Sequence, residues 1–188
     1  MIYPNFFIVG SPKCGTTSLS AYLRVHPNIF MSIPKEPSYF ANDFPGIQFV
    51  QNRNDYLRLF SKTGDQHLAI GEASPAYIFS RNAIENIRAF NRQSKIIIML
   101  RKPVDMLLSY HAQLVYSLFE NVMDFEKAWH LQKERARGLW IPRTCREPKF
   151  LQYRHVASFG RHMQRIMDLF SRDQIHVVFF EEFIRDTK

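Results

Sequence analysis

Short, wholly apolar runs alternate along the chain with longer segments whose apolar positions recur every three to four residues. Asn5 to Gly10 (NFFIVG) is rich in β-formers and ends in glycine, and Lys95 to Leu100 (KIIIML) is apolar after its lysine, the pattern of a strand covered on both faces. His67 to Gly71 and Gln174 to Phe180 read as two further strands. Between them the helical period takes over. Thr16 or Thr17 caps a helix carrying Leu19, Tyr22 and Leu23 that stops at His26-Pro27, and Ser80 to Phe90 is amphipathic. Pro103 opens a helix through Tyr116, because its missing N–H would be unpaired in a first turn anyway. Asn54 to Phe60 predicts a helical turn, and Phe125 to Arg137 and Val156 to Phe170 predict two more helices. Residues 28–50 hold Pro34, Pro37 and Pro45 with little periodicity, which predicts a long shaped loop with a short strand at Ile29–Met31. The order β-α-β-α-β-α-α-β predicts a three-layer α/β fold with a central parallel sheet flanked by helices.

Composition narrows the class. At 188 residues the chain predicts one domain over 1–188, and 46% hydrophobic with 22% charged residues excludes a disordered or low-complexity chain. Lys and Arg number 25 against 17 acidic residues, a formal charge of +8 that predicts an anionic partner. The basic residues are dispersed, which argues against a polybasic tail. Cys14 and Cys145 lie far apart without a CxxC pair, against a disulfide framework or a zinc site and in keeping with a reducing compartment. The N-terminus lacks a basic n-region and no run of 18 apolar residues occurs, so a soluble, cytoplasmic protein without stable membrane insertion is expected.

In open parallel sheets ligands bind at the carboxyl ends of the strands, so the turn at 10–18, GSPKCGTTS, is the first candidate site. A helix N-terminus there offers free amides and partial positive charge, and Gly15 lets the backbone close on a phosphate. Gly10 and Gly15 keep the spacing of the Walker A pattern G-x-x-x-x-G-K-[ST]. Thr16, however, stands at the lysine position, and Lys13 lies inside the loop. After the central strand, where a nucleoside triphosphatase carries an acidic Mg²⁺ ligand, stands Arg101. Charge is then neutralised by the protein, which suits a nucleotide phosphorylated at more than one position. Lys13 and the loop would hold one end and Arg101 the other, with Ser109 two helical turns on adding a hydroxyl.

Pro12-Lys13-Cys14-Gly15-Thr16-Thr17 resembles the 5′-phosphosulfate loop of the sulfotransferases that use 3′-phosphoadenosine 5′-phosphosulfate (PAPS), and Arg101, Pro103 and Ser109 resemble their 3′-phosphate motif. KEPSYF (35–40), GEASPAYI (71–78), LRKPVDMLLSYHAQLVY (100–116) and QIHVVFFEEFIRDT (174–187) are similar to the heparan-sulfate 3-O- and N-sulfotransferase branch. The resemblance implies a P-loop-like fold and in-line, metal-free transfer of a sulfuryl group from PAPS to a hydroxyl or amine, leaving adenosine 3′,5′-bisphosphate (PAP). It implies Glu36 as general base and Lys13 on the departing phosphate. Lys13, Cys14, Gly15, Thr16, Thr17, Ser18, Arg101 and Ser109 would bind the nucleotide, the backbone amides of Gly15 to Ser18 meeting the 5′-phosphate. Lys35 would hold the sulfuryl oxygens or an acidic acceptor, and Glu72 would be a second carboxylate near the acceptor or a helix-cap partner. Ser38 and Ala73 stand where many polysaccharide-acting relatives have His and Lys, which leaves a glycolipid, a short saccharide or a secondary metabolite beside a polymer as acceptor. The resemblance also implies a further C-terminal segment after the last block, absent from these 188 residues.

Two other function classes compete. A P-loop nucleotide kinase needs Mg²⁺ and an acidic ligand that the sequence does not supply at the expected place. A non-catalytic module binding polyanions rests on the +8 charge alone; nucleic acid is not the expected partner. Cys14, beside Lys13 and a helix N-terminus, stands where a thiol pKa is expected to fall. His111 faces either the cleft or the surface, the histidines lack the spacing of a metal site, and Glu181-Glu182 reads as a solvated end. Tyr39, Phe40 and Tyr77 either line the pocket or pack the core.

Overall fold

The computed structural model describes residues 3–185. Five strands, β1 (Phe6–Gly10), β2 (Ile29–Met31), β3 (Ala69–Ala73), β4 (Lys95–Leu100) and β5 (Ile175–Phe179), form one sheet in the order β2-β3-β1-β4-β5, every neighbouring pair parallel. The helices are α1 (Thr16–Arg24), α2 (Arg53–Arg58), α3 (Ala83–Phe90), α4 (Pro103–Tyr116), α5 (Phe125–His130), α6 (Gln132–Ala136), α7 (Tyr153–Val156), α8 (Phe159–Leu169) and α9 (Phe180–Phe183). The expected α/β architecture is therefore the one observed. Among the described residues no helix is long and apolar enough to cross a membrane.

The alternation of side chains along β1 divides the layers. Phe7 and Val9 enter the main core with Ile96 and Ile98 of β4, Met106 and Tyr110 of α4, and Ile84 and Ile87 of α3. Phe6 and Ile8 point the other way, into a smaller cluster with Met31 and Ala73 that Leu19 and Leu23 of α1 close over. Because β1 is central and wholly buried, its carboxyl end opens beside that of β4, and the turns after these two strands face each other.

Several boundaries differ from the sequence expectation for local reasons. The third strand runs 69–73 rather than 67–71, since Gly71 does not end it. A Cβ on Gly71 would lie 2.5 Å from the Phe6 ring, so the glycine makes room for a cross-strand aromatic. The third helix starts at Ala83, not Ser80, because the Ser80 hydroxyl accepts hydrogen bonds from the Asn82 and Ala83 amides. The helix expected over 125–137 breaks at Leu131, whose amide is shared between the Lys127 and Ala128 carbonyls. The helix expected over 156–170 is α8 preceded by the separate turn α7, divided at Ala157-Ser158. A short helix, α9, follows β5, where none was expected.

Candidate active site

The turn after β1 leads into α1 through Gly15, which is the N-cap at φ 89°. Neither Thr16 nor Thr17 caps the helix through its side chain, contrary to expectation. The left-handed backbone at Gly15 leaves no room for a side chain: an added Cβ would meet the Phe180 ring at 3.1 Å and Met99 at 3.3 Å. Lys13, at φ 61°, shares the left-handed conformation, and the loop is tied to β4 by the Ser11 amide on the Met99 carbonyl at 2.6 Å. Ser11 Oγ is buried beside this turn with no hydrogen-bond partner among the described residues.

A cleft of about 650 Å³ opens here, lined by Lys13, Gly15, Thr16, Thr17, Glu36, Arg101 and Ser109 together with Tyr110, Gln113 and the aromatic rings of Phe79, Phe119 and Phe150. Two stretches read separately in the sequence meet in it: Arg101 Nη1 donates to the Lys13 carbonyl at 3.4 Å. Lys13 Nζ donates to Gln113 Oε1 at 3.2 Å, across to α4. The Arg101 guanidinium lies over the Phe180 ring, 4.6 Å from its centroid, so one aromatic side chain from the end of β5 backs both the cation and the glycine turn. These are features of an anion cradle: a free helix N-terminus, a glycine that a side chain would fill, and two fixed cations.

Glu36 is exposed at the cleft, on the loop after β2, and forms an ion pair with Lys35. That pairing engages the Lys35 ammonium, expected on the sulfuryl or acceptor side, with the neighbouring carboxylate, and Lys35 is not among the cleft-lining residues. Glu36 and Ser38 sit at φ 61° and 53°, a conformation that side-chain-bearing residues hold only when their surroundings enforce it. The Glu36 amide donates to the Ala73 carbonyl at 3.1 Å, and the Ser38 amide to Ser74 Oγ at 3.2 Å, so the end of β3 carries the loop.

Besides Lys35, three expected site residues are placed elsewhere. Glu72 is fully buried behind the cleft wall, where it accepts from Tyr56 and Tyr77 hydroxyls at 2.9 Å each and from Ser74 Oγ at 2.8 Å, out of reach of an acceptor. Burial pushes its carboxyl up to about 7, against the pull of those hydroxyls. Cys14 turns its thiol into the core, toward the Pro12 carbonyl, and burial pushes it up to about 12, overriding the nearby Arg101. Its pKa is raised, not lowered as its place in the loop had suggested; only its backbone remains available to a ligand. Ser18 is exposed on α1 outside the cleft lining.

His111 is neither a cleft nor a surface residue: it is buried with Nε2 at 2.8 Å from the Val122 carbonyl. Phe40 and Tyr77 are core residues, and Tyr39 stacks on Tyr56 at 4.4 Å. Glu181 is not a bare solvated end, since it accepts from the Lys102 amide at 3.1 Å, which holds its carboxyl below the usual range. Sequence reasoning missed Gln113 and Phe180. The signal for Phe180 was available: it follows the last parallel strand, at the sheet end where ligands bind.

A family model described as "Sulfotransferase domain" matches residues 3–188. Carbohydrate sulfotransferase 15 of Mus musculus is 32% identical over a region covering 56% of this chain and 26% of its own length. Heparan sulfate glucosamine 3-O-sulfotransferase 3B1 of Homo sapiens is 31% identical, with 72% of this chain and 32% of its own length covered. The chain thus spans about a quarter to a third of these two curated relatives. Among solved structures, a sulfotransferase from Alicyclobacillus acidocaldarius superposes with a TM-score of 0.87 at 35% identity, over 99% of this chain and 76% of that one.

Proposed function

Because the chain belongs to the sulfotransferase domain family, we propose that it transfers a sulfuryl group from PAPS to a hydroxyl, or an amine, of a carbohydrate-like or small-molecule acceptor, in line and without a metal. The observation that carries this reading is the convergence of Lys13, Arg101, Ser109 and Glu36 on one cleft at the N-terminus of α1. The family match and the named relatives support it, and the carbohydrate acceptors in the names of those relatives favour a saccharide here. Two buried free thiols, Cys14 and Cys145, suit a reducing, cytoplasmic setting.

The donor, when bound, supplies the sulfuryl group and a phosphate that leaves. The first amides of α1 and the Lys13 ammonium meet the charge that builds on that departing phosphate oxygen as its bond to sulfur breaks. Arg101 and Ser109 would hold the second phosphate, and Arg101 also fixes the loop through the Lys13 carbonyl. The Glu36 carboxylate takes the acceptor proton as the new oxygen–sulfur bond forms, and its ion pair with Lys35 orients it. The cations that would replace a divalent metal are part of the chain, so the acidic metal ligand expected of a kinase has Arg101 in its place.

Thermal melting with PAP in the absence of metal, beside ATP with Mg²⁺, tests the reading. At 100 times its Kd, PAP is expected to add about 2.7 kcal/mol, roughly 5–10 °C in Tm for a domain of this size. Arg101→Ala is expected to abolish the shift. Glu36→Gln should keep it and lose about 10²–10⁴-fold in transfer rate. A shift with ATP and Mg²⁺ alone would replace this reading with a kinase.

A further inference from the structure

Two amides of the base loop, those of Ser38 and Phe40, are held from below by hydroxyls, and both hydroxyls end on one carboxylate. The Ser38 amide donates to Ser74 Oγ at 3.2 Å, and Ser74 Oγ donates to Glu72 Oε2 at 2.8 Å. The Phe40 amide donates to Tyr77 Oη at 3.3 Å, and Tyr77 Oη donates to Glu72 Oε1 at 2.9 Å. An ionised carboxylate only accepts, so it draws both hydroxyl hydrogens inward and leaves the hydroxyl lone pairs facing the loop amides. We propose that Glu72 is a positioning residue for Glu36: through Ser74 and Tyr77 it sets the direction of two hydrogen-bond chains that anchor the Glu36 loop at Ser38, itself left-handed, and at Phe40.

The arrangement is more than generic core polarity. Glu72 is fully buried, and its hydrogen-bond partners among the described residues are hydroxyls, not cations. Keeping it there is costly, as its raised pKa of about 7 reflects. An apolar residue would have packed more favourably at that point of β3, yet it could not orient the hydroxyls. The third donor, Tyr56 Oη, supplies an internal control: it bonds to Glu72 at 2.9 Å but its hydroxyl makes no bond to a loop amide.

Amide hydrogen exchange resolved by residue, at pH 8, tests the proposal without reference to activity. Ser74→Ala is expected to speed exchange at the Ser38 amide, Tyr77→Phe at the Phe40 amide, each about fivefold for one lost hydrogen bond. Glu72→Gln should speed one of the two, because its NH2 group donates where one carboxylate oxygen accepted and turns that hydroxyl hydrogen back against the loop, while its remaining oxygen keeps the other chain. Tyr56→Phe should leave both amides at the parent rate. Equal loosening by Tyr56→Phe and Tyr77→Phe, or unchanged amides in Glu72→Gln, would overturn the directed chains.

The link to Glu36 rests on the sulfotransferase reading and has its own readout. Glu72→Gln and Ser74→Ala are expected to lower kcat about 10-fold to 100-fold with the PAP Kd unchanged, the effect of a displaced base. Loosened amides with an unchanged kcat would refute positioning of the base. A parent protein that transfers no sulfuryl group to any acceptor while the exchange pattern holds would instead count against the proposed function, and leave the directed chains standing.

Discussion

Glu72 and Glu120 are carboxylates removed from water to almost the same degree, 0% and 2% exposed, yet they are satisfied in opposite ways. Glu120 receives both ends of the Arg135 guanidinium, at 2.5 and 2.7 Å, the Tyr153 hydroxyl at 2.7 Å, and the amides of Asn121 and Val122 at 2.9 Å each. Burial alone would push its carboxyl up, but the Arg135 hydrogen bonds and the other donors hold it below the ordinary range. Glu72 has three hydroxyls and rises to about 7. The bidentate pair fixes the connection between α4 and α5 to α6, a framework task in which a permanent anion and a permanent cation cancel. The hydroxyl-bound carboxylate lies under the loop that carries Glu36. A partner that can rotate its hydrogen, unlike a guanidinium, can pass a hydrogen-bond direction onward.

The largest expected effect comes from breaking the matched pair. Arg135→Met leaves Glu120 buried without its cation, which costs about 3–5 kcal/mol and lowers Tm by roughly 6–20 °C for a chain of this length. PAP binding per folded molecule should stay unchanged, since neither residue lines the cleft. Adding Glu120→Leu should recover only part of the loss, because the Asn121 and Val122 amides then stay unpaired. A single variant with parental Tm would mean that Arg135 is not what keeps Glu120 ionised.

The two carboxylates also predict opposite pH dependence. Glu72 titrates near 7 in the folded chain against about 4.5 when unfolded, so between those values the native state binds the extra proton. Its contribution is fully present below pH 4.5 and is lost as pH rises through about 7, by at most about 3 kcal/mol. Glu120, with its folded pKa lowered, contributes stability above its unfolded value and loses it as pH falls through the folded one. Urea midpoints at pH 5 and pH 8 separate them: relative to Glu72→Gln, the parent should lose stability over this interval. Equal pH dependence in both proteins would show that Glu72 is ionised throughout.

Much of the fold was legible because parallel strands buried on both faces must be apolar, and KIIIML and NFFIVG announce themselves. The third strand was displaced by two residues because Gly71 was read as a stop, when its lack of a side chain serves the Phe6 ring sixty-five positions earlier. Lys13, Arg101 and Ser109 could be placed at one cleft because each belongs to a short motif that follows a strand end, whereas Glu36 was singled out only through the resemblance of its KEP segment. Glu72 was singled out too, but as a carboxylate near the acceptor or a helix-cap partner, whereas it is buried away from the cleft. What it does depends on Tyr56 of α2, and on Ser74 and Tyr77 just beyond β3, converging in space, and the two loop amides that Ser74 and Tyr77 hold carry no sequence signature. The Glu120–Arg135 pair was missed for the same reason: it closes across a connection rather than along a helix face.

The smallest effect sharpens the comparison most. Tyr153→Phe and Tyr56→Phe each delete one hydroxyl hydrogen bond to a buried carboxylate and keep the ring, at 2.7 and 2.9 Å respectively. Glu120 retains a bidentate guanidinium and two amides, so Tyr153→Phe is expected to cost about 1 kcal/mol, the net worth of an ordinary hydrogen bond. Glu72 retains two hydroxyls for a whole charge, so Tyr56→Phe should cost about 1.5–3 kcal/mol above pH 8, where the carboxylate is ionised. Below pH 5, with Glu72 protonated in the folded state, the two substitutions should converge. Denaturant midpoints at the two pH values measure this directly. A Tyr56→Phe penalty that is the same at both would mean that its hydroxyl serves the aromatic core and not the charge, and would leave Ser74 and Tyr77 as the only donors that Glu72 needs.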